Sequence, residues 1–152
     1  MMSNPTLPVD TDMIRTVITT AGVLHGPLPE CTAPTILVDL RTALRNPADD
    51  PGMIKLTGLD AKVRDHVLNT PGAQQIIDDT VGRILAAYTW TRTTGHRQDA
   101  LIICMGGRHR SVAIAEEIAR RLRAQGHGAD VEHRDIGKPV QPSSKNTEDG
   151  PV

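Results

Sequence analysis

The sequence predicts an α/β fold, a mixed and partly parallel sheet with flanking helices, on three observations. Short β-branched apolar runs alternate with longer segments of helical period. The clearest of those runs, Asp99-Ala100-Leu101-Ile102-Ile103-Cys104, passes through a Gly-Gly turn into a helix-forming segment, the strand–loop–helix arrangement of an anion site. The chain has 152 residues, which favours one domain.

Met1 to Asp12 contains Pro5 and Pro8 and is expected to be a flexible arm. Residues 13–138 form the expected domain. Ile14 to Thr20 is rich in β-branched residues and predicts a strand. Gly22, Gly26, Pro27 and Pro29 then break the chain. Thr35 to Arg41 predicts a second strand, whose continuous apolar centre suggests burial on both faces. Asn46 to Gly52 carries two prolines and is expected to be a loop. Leu59 to Asn69 predicts a short helix. After Pro71-Gly72, the apolar residues Ile76, Ile77, Val81, Ile84, Leu85 and Tyr88 recur with helical period. Gly82 interrupts that helix at a cost of about 1 kcal/mol against Ala. Thr91 to Gln98 is a polar connection.

Strand 99–104 leads to a helix from about Arg110 to Gln125, with Ile114, Ala115, Ile118, Ala119 and Leu122 as its apolar face. Glu116 with Arg120 and Glu117 with Arg121 stand in favourable i,i+4 order, and Gly126 suits a C-terminal cap. Ala129 to Arg134 is the last strand. Residues 139–152 are expected to be a disordered tail.

Apolar residues make up 38% of the chain, with one Trp, one Tyr and no Phe, so the core must be aliphatic. The net charge of −1 writes no general attraction to nucleic acid or anionic lipid into the composition. No apolar run approaches the roughly 18 residues that a membrane span needs. Met1 to Asp12 is unlike a signal peptide, and two cysteines form no framework, so a cytoplasmic setting is expected. The six histidines show no compact ligand spacing, and neither metal nor cofactor is expected.

Chemistry concentrates at Cys104-Met105-Gly106-Gly107-Arg108-His109-Arg110-Ser111. Glycines let the backbone curl and turn N–H groups inward, and a helix N-terminus adds unpaired N–H groups and partial positive charge. Arg108 and Arg110 supply guanidinium forks suited to phosphate, with Arg110 the stronger candidate for the charged contact. Ser111 supplies a hydroxyl. The bland reading is a turn that merely links strand to helix, with solvated arginines. The octapeptide also fits Cys-x5-Arg-Ser, the phosphate loop of cysteine-dependent phosphatases. Cys104 would then be the nucleophile and Asp39, Asp49 or Asp50 the leaving-group acid. Ile103 stands where those enzymes usually carry His, and a buried inert Cys is the plain alternative.

Several segments together resemble one family, the C-terminal domain of the RNase adapter protein RapZ. They are Val38-Asp39-Leu40-Arg41 with Asn46-Pro47, Leu56-Thr57-Gly58-Leu59-Asp60, and Cys104 to Ser111 continuing through Ile114-Ala115-Glu116. His25-Gly26 and His133-Arg134 fit the family's flanking pairs. The resemblance runs from about residue 14 to 138. It implies a domain that binds a phosphorylated small molecule, glucosamine-6-phosphate in the family, forms homo-oligomers and engages RNA or protein partners as a regulatory adaptor. By position, Gly106, Gly107, His109, Arg110 and Ser111 would hold the ligand, with His25 and Asp60 near it. The sequence departs from the family at Met105, where the family has Thr, and at Ala48-Asp49-Asp50, where it has His-Trp-Asp. The family's P-loop NTPase motif is absent from this sequence, so no nucleoside triphosphate hydrolysis is expected.

Other residues have plainer readings. His25 suits a turn as well as a site, His133-Arg134 suits a strand end, and Asp60 suits a helix cap. His66, His96 and His127 are expected to face solvent. Arg120, Arg121 and Arg123 suit a solvated helix face, with RNA contact as the lesser reading.

Overall fold

The computed structural model describes residues 13–44 and 51–139. The expected arm, the Asn46–Asp50 stretch and nearly all of the expected tail lie outside the described residues. The strands are β1 (Thr16–Gly22), β2 (Thr35–Asp39), β3 (Asp99–Cys104) and β4 (Ala129–His133). The helices are α1 (Ala61–Leu68), α2 (Ala73–Thr91) and α3 (Arg110–Ala124). The sheet runs β2-β3-β1-β4 and every pair is parallel, so the expected mixed sheet is parallel throughout the described residues.

The two-residue period of the strands divides the sheet into unequal faces. Ile18, Val38, Ala100, Ile102 and Cys104 join residues of all three helices in one buried core. On the opposite face Ala21, Leu101 and Ile103 form a small cluster with Val23. There the β1–β2 connection passes over the sheet, with Pro29–Thr32 facing Val17, Thr19 and Leu101 across a shallow cavity. The β3–β4 connection, α3, crosses on the helical face. Loops that leave neighbouring strands toward opposite faces open a crevice at the strands' C-terminal ends, the usual ligand position in such sheets. The register Gly22↔Cys104 and Asp39↔Ile103 brings those ends level.

Four expectations change. β2 is not buried on both faces: it is an edge strand, and Leu37 is 53% exposed. A continuous apolar run cannot reveal whether a second layer lies above it. β1 begins two residues later than expected and ends on Gly22, which is a paired strand residue rather than a breaker. His127 is buried, not solvent-facing. Its Nε2 shares a 2.8 Å hydrogen bond with Thr16 Oγ1, and its ring meets Tyr88 edge-on at 5.0 Å. His66 is half-buried, and only His96 of the three is exposed. No helix among the described residues is long and apolar enough to cross a membrane.

One polar knot ties the strand ends together. Asp135, just past β4, is fully buried. It accepts the Gly22 N–H at 2.7 Å and bonds from Arg134 Nε and Nη2 and from Lys138 Nζ. Burial opposes its charge, but the bonds from Arg134, Gly22 and Lys138 prevail and hold its pKa at about 2, against an ordinary 3.8.

The depressed pKa sets a sign: this stabilisation is complete above about pH 4 and is lost as pH falls toward 2. Burial also lowers the pKa of His109 and His127 from 6.5, so their contribution declines below that pH. Denaturant titrations should therefore show stability falling in two stages on acidification. Asp135→Asn should cost about 2 kcal/mol at neutral pH and reduce only the lower stage, to which Asp39 and Glu117 also contribute. An unchanged lower stage would refute the knot's role.

Two glycines should respond oppositely to alanine. A Cβ on Gly22 would lie 2.2 Å from the carbonyl carbon of Gly106, whereas one on Gly82 meets nothing within 4 Å. Gly22→Ala should destabilise by about 3 kcal/mol or more. Gly82→Ala, at an exposed position inside α2, should stabilise by up to about 1 kcal/mol. Thermal melts of both variants check the pair.

Candidate functional site

β3 ends at Cys104 and α3 begins at Arg110, so the loop spans only Met105 to His109. Gly107 takes the left-handed conformation, φ 70°, which a side chain would strain. The backbone thereby folds back over the strand it has left, and the Gly107 N–H points at Cys104 Sγ, 3.2 Å away. Ser111 Oγ stands 3.2 Å from the same sulfur. Cys104 is 2% exposed. Among the described residues, the N–H groups of Gly106, Arg108 and His109 meet no acceptor. The first turn of α3 adds donors that no helix can pair internally.

Neighbouring chain presses on this loop from two sides, and on each side the contact residue is glycine. Gly22 lies beneath Gly106 and Gly107. A Cβ on Gly58 would lie 2.5 Å from the Ala113 nitrogen and 2.6 Å from the His109 oxygen. The Gly58 N–H donates to the Arg108 carbonyl at 2.9 Å, and the Leu24 N–H donates to the Met105 carbonyl at 3.0 Å.

Arg108, His109 and Arg110 are staples. Arg108 donates to four carbonyls: Leu56 at 3.0 Å, Lys55 at 2.5 Å, Ile136 at 3.1 Å and Lys138 at 3.4 Å. His109 Nε2–H donates to Met53 O at 3.0 Å, and burial keeps the ring neutral. Arg110 is 2% exposed, and its Nη1 donates to the carbonyls of Leu40, Arg41 and Leu44 at 3.0, 3.1 and 2.9 Å. The forks that sequence reasoning turned toward a phosphate hold the loops after β2 and β4 and the 53–56 segment instead. A guanidinium suits carbonyls as well as phosphate oxygens, and composition cannot tell which it meets.

His25 closes a 3-10 turn, Val23–His25, set beside the loop by the Leu24–Met105 bond. Asp60 stands at the N-cap position of α1 but does not cap it. Its Oδ2 turns back to accept the Thr57 N–H at 2.7 Å, which closes the turn that presents Gly58. His133 bridges three elements, sharing hydrogen bonds with Thr20 Oγ1 at 2.8 Å and Glu116 Oε2 at 2.7 Å. Glu116 is thus absent from the expected pair with Arg120, which joins Glu117 instead, as Arg121 also does. Arg121 further bridges to Asp78 on α2, and Arg123 donates to the Ala129 carbonyl.

Asp39 is chelated by Arg41, whose hydrogen bonds hold its carboxyl below the usual range. An ionised carboxylate is a poor leaving-group acid. Asp49 and Asp50 lie outside the described residues. Among the described residues, no group of three or more His, Cys, Asp or Glu is placed to hold a metal ion. Sequence reasoning missed Gly22, Gly58 as a contact residue, Met53 and Asp135. The two glycines were visible only as a turn and a motif residue.

The model of the RapZ C-terminal domain family matches residues 14–137. A nucleotide-binding protein of Corynebacterium jeikeium is 39% identical over 128 residues, covering 84% of this chain and 43% of the relative. Nucleotide-binding proteins of Thermobifida fusca and Streptomyces coelicolor are each 37% identical, covering 82% of this chain and 42% and 41% of their own lengths. The chain therefore spans about two fifths of these relatives. The matched segment holds every strand and helix described above, and the chain belongs to the RapZ C-terminal domain family.

Proposed function

We propose that the Cys104–Ser111 loop binds the phosphoryl group of a small molecule, a sugar phosphate such as glucosamine-6-phosphate or a nucleotide, and that the domain serves as a regulatory adaptor. The observation that carries this reading is the set of N–H groups at Gly106, Arg108 and His109 that meet no acceptor among the described residues, continuous with the first turn of α3. Donors of this kind, beside the positive end of a helix, favour an anion. Arg108 and Arg110 contribute positive charge while their forks fix the walls. Gly107, Ser111 and Cys104 belong to the same loop, and the family resemblance would put His25 and Asp60 near the ligand. The naming of relatives as nucleotide-binding proteins agrees with a phosphorylated ligand. Both cysteines are free thiols, in keeping with a cytoplasmic setting.

The phosphatase alternative draws on the contacts of Cys104 Sγ with Gly107 N–H and Ser111 Oγ. The buried sulfur and the carboxylate form of Asp39 weigh against it. Turnover of para-nitrophenyl phosphate that disappears in Cys104→Ser would favour it. The small-RNA alternative would appear as binding that weakens steeply with salt.

The anion reading is tested at Gly106, where an added Cβ meets nothing within 4 Å. Gly106→Leu should keep the melting temperature of the free protein while adding bulk within the loop itself. For the wild type, a sugar phosphate or nucleotide at about one hundred times its dissociation constant should add about 2.7 kcal/mol of stability. Gly106→Leu should lose that gain. Arg110→Ala should lower stability without ligand by about 2 kcal/mol or more, because buried carbonyls lose their donor. If no sugar phosphate, nucleotide or inorganic phosphate shifts the wild-type melt, the reading is wrong.

A further inference from the structure

We propose that Lys138 is the mobile cation of this site, and that its exchange between Asp135 and the ligand selects phosphate monoester dianions over phosphodiesters and carboxylates. The inference rests on the anion-site reading above and deepens it to a ligand class.

The cations around the loop differ in how far they are committed. Arg108 is held by four carbonyls and Arg110 Nη1 by three. Arg134 spans Asp135, the Gly22 carbonyl at 3.1 Å and the Pro27 carbonyl. Moving any of them would release a wall of the site. Among the described residues Lys138 Nζ makes one bond, to Asp135 Oδ1, and its side chain is 42% exposed. When it leaves, Asp135 keeps the Gly22 N–H and both donors of Arg134. A lysine is also a flexible point charge, free of the planar geometry that an arginine must satisfy.

Position supports the exchange. A Cβ on Gly107 would lie 3.1 Å from Asp135 Cβ, so the carboxylate that holds Lys138 packs directly against the loop. The Lys138 carbonyl accepts from Arg108 Nη1, which anchors this residue's main chain to the loop's own arginine. Lys138 lies one residue beyond the segment that matches the family.

Charge then sets the selectivity. An arriving anion must draw Lys138 from a carboxylate of charge −1. A phosphodiester or a carboxylate offers no greater charge. A phosphate monoester carries nearly two negative charges above its second pKa of about 6, so it alone gains by the exchange.

Calorimetric titration at about pH 7.5, above that second pKa, with phenyl phosphate as the monoester and methyl phenyl phosphate as the diester, tests the proposal. The wild type should bind the monoester about tenfold or more tightly than the diester, the worth of one charge-assisted bond. Lys138→Gln, which leaves Asp135 its other partners, should lose about that factor for the monoester alone. Lys138→Arg should restore most of it. Undiminished discrimination in Lys138→Gln, or equal loss for both probes, overturns the inference while leaving the anion site standing. Failure of the wild type to bind phenyl phosphate overturns the site itself, and this inference with it.

Discussion

Where β1 ends and the Cys104–Ser111 loop curls over it, two main chains touch with no side chain between them. The ideal Cβ of Gly22 would stand 2.2 Å from Gly106 C, and that of Gly107 would stand 2.5 Å from Gly22 N. Any side chain on Gly22 would lift the loop away from the sheet. The Gly22 N–H is in turn fixed by Asp135, and Asp135 by Arg134 and Lys138. The end of β1, the loop after β3 and the turn after β4 are thereby one unit, and α3 takes its starting direction from it. The parallel register makes this possible by bringing Gly22 and Cys104 level.

Arg108 meets carbonyl oxygens rather than carboxylates among the described residues, so it ties its loop to two other segments without cancelling its positive charge. A carboxylate in its place as partner would close the loop equally well and also neutralise it. Among the described residues the buried carboxylate beside the loop, Asp135, is matched by two cations of its own. Structural bracing and an unneutralised positive potential thus come from the same side chain, and the donors at Gly106, Arg108 and His109 lie in that potential.

The parts of the fold governed by local pattern were legible in the sequence. The run from Asp99 to Cys104 and the apolar face of Ile114, Ile118 and Leu122 led directly to β3 and α3, because period and turn chemistry are local properties. What depended on neighbours was not. The exposure of Leu37 follows from the edge position of β2, and the burial of His127 follows from Tyr88 arriving on a different helix. At the site, the octapeptide showed which groups were present but not where they point. Arg110 had the best case for a phosphate contact and instead braces the chain after β2. The close-approach glycines were equally hidden, since a glycine that ends a strand and one that starts a loop read alike.

If the backbone of this loop forms an anion cradle, amide chemical shifts report it residue by residue. Inorganic phosphate titrated into ¹⁵N-labelled protein should move the amide signals of Gly106, Gly107, Arg108, His109, Ser111 and Val112 most, along a saturating curve, with Lys138 and Gly22 following. If those signals stay in place while phosphate shifts others, such as the exposed Arg120 and Arg123 of α3, the loop is not the anion site.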